Sequence, residues 1–217
     1  MLRGIVFDLD GVLVDSHPAH KRAWKMFFAS VGKRVSNKEL EFVLEGRKRE
    51  DILRHFLGHL TDEQVKDYGD QKEALFKNEL PGIKIIHGLP RFLEQVITEG
   101  IVIALASSAS RRRVEYILRQ LDFNRRFQAV LTGDDVPRGK PDPAIFMLAA
   151  KRMNLCAGEI LVCEDAVNGV EAAKAAGMKC LAIAANGRGP LLEKAGADKV
   201  IPDFRQARVD ELRGLFV

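Results

Sequence analysis

Two carboxylates stand two residues apart at the end of an apolar run, Ile5-Val6-Phe7-Asp8-Leu9-Asp10, and Gly11 follows them. From an extended backbone, side chains at i and i+2 point the same way. Like charges that close resist joint ionisation in a dry site, so the pair calls for a cation or for a proton on one member. Either outcome offers chemistry: a metal-bound nucleophile beside a proton donor. An ordinary use is also open, in which Asp8 or Asp10 ends a strand and caps a helix.

Three further clusters carry polar groups of the complementary kinds. Ser107, Ser108, Ala109 and Ser110 follow the apolar run Ile101 to Ala106 and precede Arg111-Arg112-Arg113 and a helical pattern. Hydroxyls and free N–H groups at a helix start cradle an oxyanion or phosphate, and equally make a plain serine cap above a solvated arginine turn. Lys140 lies in the rigid turn Gly139-Lys140-Pro141-Asp142-Pro143, a point charge for a phosphoryl oxygen or a carboxylate, or a solvated loop lysine. Glu164 and Asp165 follow Ile160 to Cys163 and supply hard oxygens suited to magnesium, while Asp165 is also a candidate N-cap for the helix ending at Gly177. Together, acids, a hydroxyl, a lysine and Mg2+ are what phosphoryl transfer through an aspartyl-phosphate requires.

Such groups converge only if the chain brings its strand ends to one edge. Short apolar runs at Gly4 to Leu9, Ile101 to Ala106, Ala129 to Leu131, Ile160 to Cys163, Cys180 to Ala184 and Lys199 to Ile201 alternate with helical patterns. That alternation predicts an α/β fold, a parallel sheet with helices on both faces, whose ligands gather beyond the strands' carboxyl ends. Residues 16–81 break the rhythm with apolar positions at helical spacing, including Ala23, Trp24, Phe27, Phe28 and Val31. They are expected to form a small helical cap inserted after the first strand, between core segments 1–15 and 82–217. Its hinges fall near Val14 to His17 and near Pro81 to Gly88, and the aromatic stripe Trp24, Phe27 and Phe28 is expected to be the insert's own core.

Composition narrows the field of function. The 217 residues are 47% hydrophobic and 29% charged, as in an ordinary soluble globular protein. Lys and Arg exceed Asp and Glu by 34 to 30 without a basic stripe, which suits a small anionic substrate and excludes a nucleic-acid footprint. Cys156, Cys163 and Cys180 have neither disulfide nor thiolate-metal spacing. With no signal peptide ahead of the first strand and no apolar stretch near about 18 residues, a cytoplasmic protein away from membranes is expected.

The ordered clusters resemble the haloacid dehalogenase superfamily over essentially the whole chain. Asp8-Leu9-Asp10-Gly11-Val12 is similar to its nucleophile loop, Ser107 to its second motif, Lys140 in Gly-Lys-Pro-Asp-Pro to its third and Glu164-Asp165 to its fourth. The resemblance implies a Rossmann-like core with a helical cap, Asp8 as nucleophile and Asp10 as general acid/base. It also implies magnesium held by Asp8, the Asp10 backbone carbonyl and Asp165, with Glu164 close by. Within the superfamily the chain resembles the beta-phosphoglucomutase-like branch, through His20-Lys21-Arg22-Ala23-Trp24-Lys25 and Gly46-Arg47-Lys48-Arg49-Glu50-Asp51. That likeness implies substrate contacts from His20, Arg49, Ser108 and Ala109.

The chain departs from the mutase pattern where Glu45 replaces a lysine before the cap glycine, and where Ala109-Ser110-Arg111 replaces Ser-Lys-Asn. A mutase needs a second phosphate site, which Arg47, Lys48, Arg49 and Arg111 would have to rebuild. The expected activity is therefore a magnesium-dependent phosphatase acting on a small phosphorylated metabolite, a sugar phosphate, through phospho-Asp8, in a monomer. The alternative is a phosphomutase interconverting hexose 1- and 6-phosphates.

Overall fold

The computed structural model describes residues 1–123 and 126–216. In chain order its strands and α-helices are β1 (Gly4–Phe7), β2 (Val14–Asp15), α1 (His17–Ser30), α2 (Arg49–Leu57), α3 (Asp62–Glu79), β3 (Lys84–Ile85), α4 (Leu89–Thr98), β4 (Val102–Ala106) and α5 (Arg111–Gln120). They continue with β5 (Ala129–Leu131), α6 (Ala144–Met153), β6 (Ile160–Glu164), α7 (Val167–Ala175), β7 (Lys179–Ile183), α8 (Gly189–Lys194), β8 (Lys199–Ile201) and α9 (Val209–Arg213).

Six strands form one parallel sheet in the order β5-β4-β1-β6-β7-β8. The predicted strands are all present, and both faces are covered, as their unbroken apolar runs require. Alternation along β1 divides the core: Ile5 and Phe7 enter one apolar cluster with Phe92 and Phe204, and Val6 enters the other with Phe146 and Val170. The strand order diverges on either side of β1, and the crevice beyond β1 and β6 is the switch point where such sheets bind ligands.

The first strand is shorter than the apolar run suggested. It ends at Phe7, because the chain turns at once: Asp10 N donates to Asp8 Oδ2 (3.0 Å), and Leu13 N and Val14 N both donate to Leu9 O. Asp8 and Asp10 therefore belong to a turn, and the same-face argument for an extended i, i+2 pair does not describe them.

Residues between β2 and β3 are helical, as the spacing predicted. Trp24, Phe27, Phe28, Leu40, Leu53 and Phe56 make an apolar cluster of their own, separate from both sheet clusters. Thr61 opens α3 with a capping box, accepting from Gln64 N while Gln64 Oε1 accepts from Thr61 N. At the expected hinges the two crossings of the chain are tied by a short antiparallel ribbon, Val14 opposite Ile85 and Asp15 opposite Lys84. Near that ribbon Ala19, Ala23 and Phe76 leave the insert's cluster and pack into the larger sheet cluster.

Phe7 is fully buried, with its ring 6.3 to 6.4 Å from those of Phe92, Phe127 and Phe204. Phe7→Ala is expected to lower the free energy of unfolding by about 3–5 kcal/mol, measured by chemical denaturation.

Candidate active site

The charged centre of the site is Lys140, a loop lysine only 2% exposed. Its ammonium donates to Asp8 Oδ1 (2.6 Å), to Ala106 O (3.2 Å) and to Glu164 Oε1. Glu164, fully buried at the end of β6, uses its other oxygen to accept from Asp165 N (2.8 Å) and Ala166 N (3.0 Å) at the start of α7. Gly169 makes room for it, because a Cβ there would strike the Glu164 carboxylate. Ser107, also buried, accepts from Ala109 N at Oγ (3.1 Å) after β4. The strand ends thus bring Asp8, Ser107, Lys140 and Glu164 to one edge.

Two ordinary readings of these residues do not describe the structure. Lys140 is not solvated, because two buried acids hold it. The N-cap position of α7 belongs to Ala166 rather than Asp165, and the backbone N–H groups there are taken by Glu164. Ser110 does occupy the N-cap position of α5, but Asp134 Oδ2 accepts from Arg111 N instead of the serine hydroxyl.

Asp10 faces the helical insert. Ser16 Oγ donates to its Oδ1 (2.6 Å) and Arg113 Nη2 donates to its Oδ2 (2.8 Å). His20 Nε2 stands 3.2 Å from Oδ1 but lacks hydrogen-bond alignment. Behind it, Lys72 Nζ is 3.1 Å from His20 Nδ1, and the tautomer protonated at Nε2 lets that lysine donate. The His20 ring stacks on Phe76 with centroids 4.2 Å apart.

Burial and these partners set the titration. Burial pushes Asp8 well above the usual carboxylate range; Lys140 opposes it, and the nearby acids Glu164, Asp165 and Asp10 reinforce it. Burial would also raise Asp10, but Arg113 and His20 outweigh it and hold that carboxyl well below its usual range. His20 is held down to about 3 by burial and by Lys72, so it is neutral. Lys72, buried beside Arg113, is held down to about 7.

The donor set fits a hard divalent cation. Asp165 Oδ2 is buried with no aligned hydrogen-bond partner, although His17 Nε2 lies 2.8 Å away. Gly11, at φ +80°, permits this approach, since a Cβ would collide with the Asp165 carboxylate. Among the described residues no three His, Cys, Asp or Glu side chains converge as a cluster. Magnesium needs only one or two carboxylates because it keeps several waters, and Asp8 and Asp165 meet that need. Glu164 is committed to Lys140, and the Asp10 side chain to Ser16 and Arg113, so these two side chains are engaged elsewhere.

A cavity of about 240 Å³ lies between this edge and the insert, walled on the insert side by His20, Trp24, Val43, Leu44, Arg49 and Lys72. The insert is closed over it: Ser108 Oγ donates to Gly46 O (2.7 Å), and Lys48 Nζ donates to Val136 O (2.6 Å). Ala109 is buried and accepts from Gly133 N through its carbonyl (2.8 Å). Arg49 lines the cavity with its Nε 3.3 Å from Glu50 Oε1 and its Nη1 3.8 Å from Asp70.

Sequence reasoning passed over His17, Lys72, Glu73 and Arg113. His17 and His20 stand at i and i+3 just after the nucleophile loop, a spacing that places both on one helix face and signals a shared site. Lys72 and Glu73 carry no local signal, and Arg113 reads as one of three solvated arginines, whereas its side chain is only 12% exposed.

A Rossmann-like core with acids, a lysine and a hydroxyl at its switch point defines an enzyme of the hydrolase and phosphotransferase class. The chain belongs to the haloacid dehalogenase-like hydrolases, whose sequence signature matches residues 5–183. It is 33% identical over 190 residues to the phosphorylated carbohydrates phosphatase of Thermotoga maritima, covering 82% of this chain and 83% of that one. It is 31% identical over 209 residues to hexitol phosphatase A of Escherichia coli, covering 95% and 94%. The crystal structure of beta-phosphoglucomutase from Clostridium difficile superposes with a TM-score of 0.88 at 25% identity, covering 100% of this chain and 97% of that one. Relatives thus include both phosphatases of phosphorylated sugars and phosphomutases.

Lys140→Met leaves Asp8 and Glu164 buried without their cation and is expected to cost about 3–5 kcal/mol of stability in a denaturant titration. Lys72 gives a second expectation. Its folded value of about 7 lies below the ordinary 10.5, so between those values the unfolded chain holds a proton that the folded chain has released. Stability from this group accordingly rises with pH from about 7 to 10.5, by at most about 1.4 kcal/mol per unit. Lys72→Met should remove that slope, which unfolding curves at pH 7, 8.5 and 10 would show.

Proposed function

We propose that the protein is a magnesium-dependent phosphatase of small monophosphate esters with a neutral, hydroxyl-bearing body, a sugar or polyol phosphate, working through phospho-Asp8. In this reading residues 16–81 act as a cap over a core of residues 1–15 and 82–217. One observation favours hydrolysis over mutase chemistry: the basic residues available for a second phosphate are already engaged. Arg47 pairs with Glu45 (3.1 Å), Arg49 with Glu50 and Asp70, and Arg111 with both oxygens of Asp135 (2.6 Å each), while Lys48 donates to Val136 O. Glu45, standing where the mutase pattern has a lysine, adds a negative charge where a bisphosphate would need a positive one.

Chemically, one Asp8 oxygen attacks phosphorus and forms a P–O bond as the bond to the leaving oxygen breaks. Asp10, ionised beside Arg113 before substrate enters, takes up a proton as the anionic phosphate arrives and gives it to that oxygen. Water then attacks phospho-Asp8, Asp10 takes a proton from it, and inorganic phosphate leaves. Ser107 and Lys140 stand beside Asp8, where negative charge builds on the phosphoryl oxygens. Asp8 and Asp165, with the Asp10 carbonyl, would hold magnesium here, and when bound it would supply positive charge between the Asp8 carboxylate and the anionic ester.

Against a panel of sugar and polyol monophosphates with magnesium, the protein should release inorganic phosphate, and Asp8→Asn should lose essentially all of that activity. Incubation of beta-glucose 1-phosphate with a hexose bisphosphate primer should yield free phosphate; glucose 6-phosphate as the main product would establish the mutase instead.

A further inference from the structure

Arg113 sits in the first turn of α5, on the core, yet its guanidinium meets both halves of the molecule. One arm, Nη2, donates to Asp10 Oδ2 at 2.8 Å. The other, Nη1, lies 3.8 Å from Glu73 Oε2 on α3 of the insert. The guanidinium carbon stands 5.3 Å from the centroid of the Phe76 ring, also on α3. Both ion-pair contacts are sheltered, with side-chain exposures of 12% for Arg113, 13% for Glu73 and 19% for Asp10. Lys72, 3.1 Å from His20 Nδ1, and His20, with Nε2 3.2 Å from Asp10 Oδ1, complete the group.

Arginine suits this place because its fork serves two carboxylates on different bodies at once, whereas a lysine offers one point charge. Asp10 needs a defined orientation, since a proton donor acts only within hydrogen-bond reach of the leaving oxygen. From the insert Asp10 is approached by His20 and by Ser16 at the start of α1. Arg113 is its contact from α5.

We propose that Arg113 is a positioning residue for proton transfer, fixing the Asp10 carboxylate from the core and, through Glu73 and Phe76, tying that orientation to the seat of α3. The inference rests on the phosphatase reading and extends it: loss of Arg113 should impair the step that protonates the leaving oxygen while leaving phosphate binding intact.

The test compares kcat/KM for two monophosphate esters in wild type, Arg113→Gln, Arg113→Lys and Glu73→Gln. An alkyl ester such as glycerol phosphate has a leaving oxygen that needs its proton, and p-nitrophenyl phosphate has one that departs with little help. Arg113→Gln should lower kcat/KM for the alkyl ester by about tenfold or more and for the aryl ester by less than about threefold, within the range general acid catalysis supplies. Arg113→Lys should recover part of the loss, and competitive inhibition by inorganic phosphate should be unchanged. Glu73→Gln should show the same ester dependence more weakly, and with Arg113→Lys it carries the test if Arg113→Gln does not fold. Equal losses for both esters, or a loss confined to phosphate binding, would overturn the positioning role while leaving the phosphatase reading intact. A wild type inactive toward both esters would overturn that reading, and the inference with it.

Discussion

Everything at this site depends on one buried ammonium ion. Lys140 lies between Asp8 and Glu164, where an isolated carboxylate would be strongly penalised by desolvation. One cation against two buried anions leaves the edge negative, and Asp165 adds a further carboxylate with an unsatisfied oxygen. Hard oxygens of this kind suit a small divalent ion. Glu164 makes the arrangement rigid, since its second oxygen also closes the first backbone N–H groups ahead of α7. The ion cluster and the start of a core helix are therefore one construction. A cluster of this kind contributes little net stability, but removing a single member is costly, because the remaining charges are stranded.

The insert supplies what the sheet edge lacks. It carries an aromatic cluster of its own, and the two-residue ribbon through Asp15 and Lys84 holds both chain crossings together. Closure is made by polar contacts between loops, Ser108 to Gly46 and Lys48 to Val136, which can break and re-form at small cost. The apolar surface of the insert is spent internally, and few of its large side chains reach the core. A cavity of about 240 Å³ results, with Asp8 and Ser107 on its floor and Trp24, Val43 and Leu44 on its roof. Around it Arg47 and Arg49 of the insert sit beside the acids Glu45, Glu50 and Asp70.

Much of this was legible in the chain. Strands buried on both faces need unbroken apolar runs, so all six announced themselves. The insert announced itself equally, because helical spacing replaces strand patterning for some sixty residues. Asp8, Asp10, Ser107, Glu164 and Asp165 drew notice in the sequence because they stand at the ends of apolar runs, and Lys140 because a rigid Gly-Lys-Pro turn carries it. Gly11 and Gly169 were harder to read: each is glycine because a distant carboxylate occupies the space its Cβ would need. Arg113, Lys72 and Glu73 were not legible, since their local surroundings are those of ordinary exposed helices.

The sequence by itself determined the fold class and the chemical inventory, because hydrophobic periodicity and strand-end polarity are local properties. It left open which groups each acid meets. Only the tertiary structure decided that Glu164 turns to Lys140, that Asp165 comes up against Gly11 and His17, and that Asp10 lies among Ser16, His20 and Arg113. Those choices depend on contacts between separate elements, 24 residues apart for Lys140 and Glu164 and 103 for Arg113 and Asp10, where small differences in distance and burial decide which charge is paired. Periodicity carries no record of such distances, and only packing sets them.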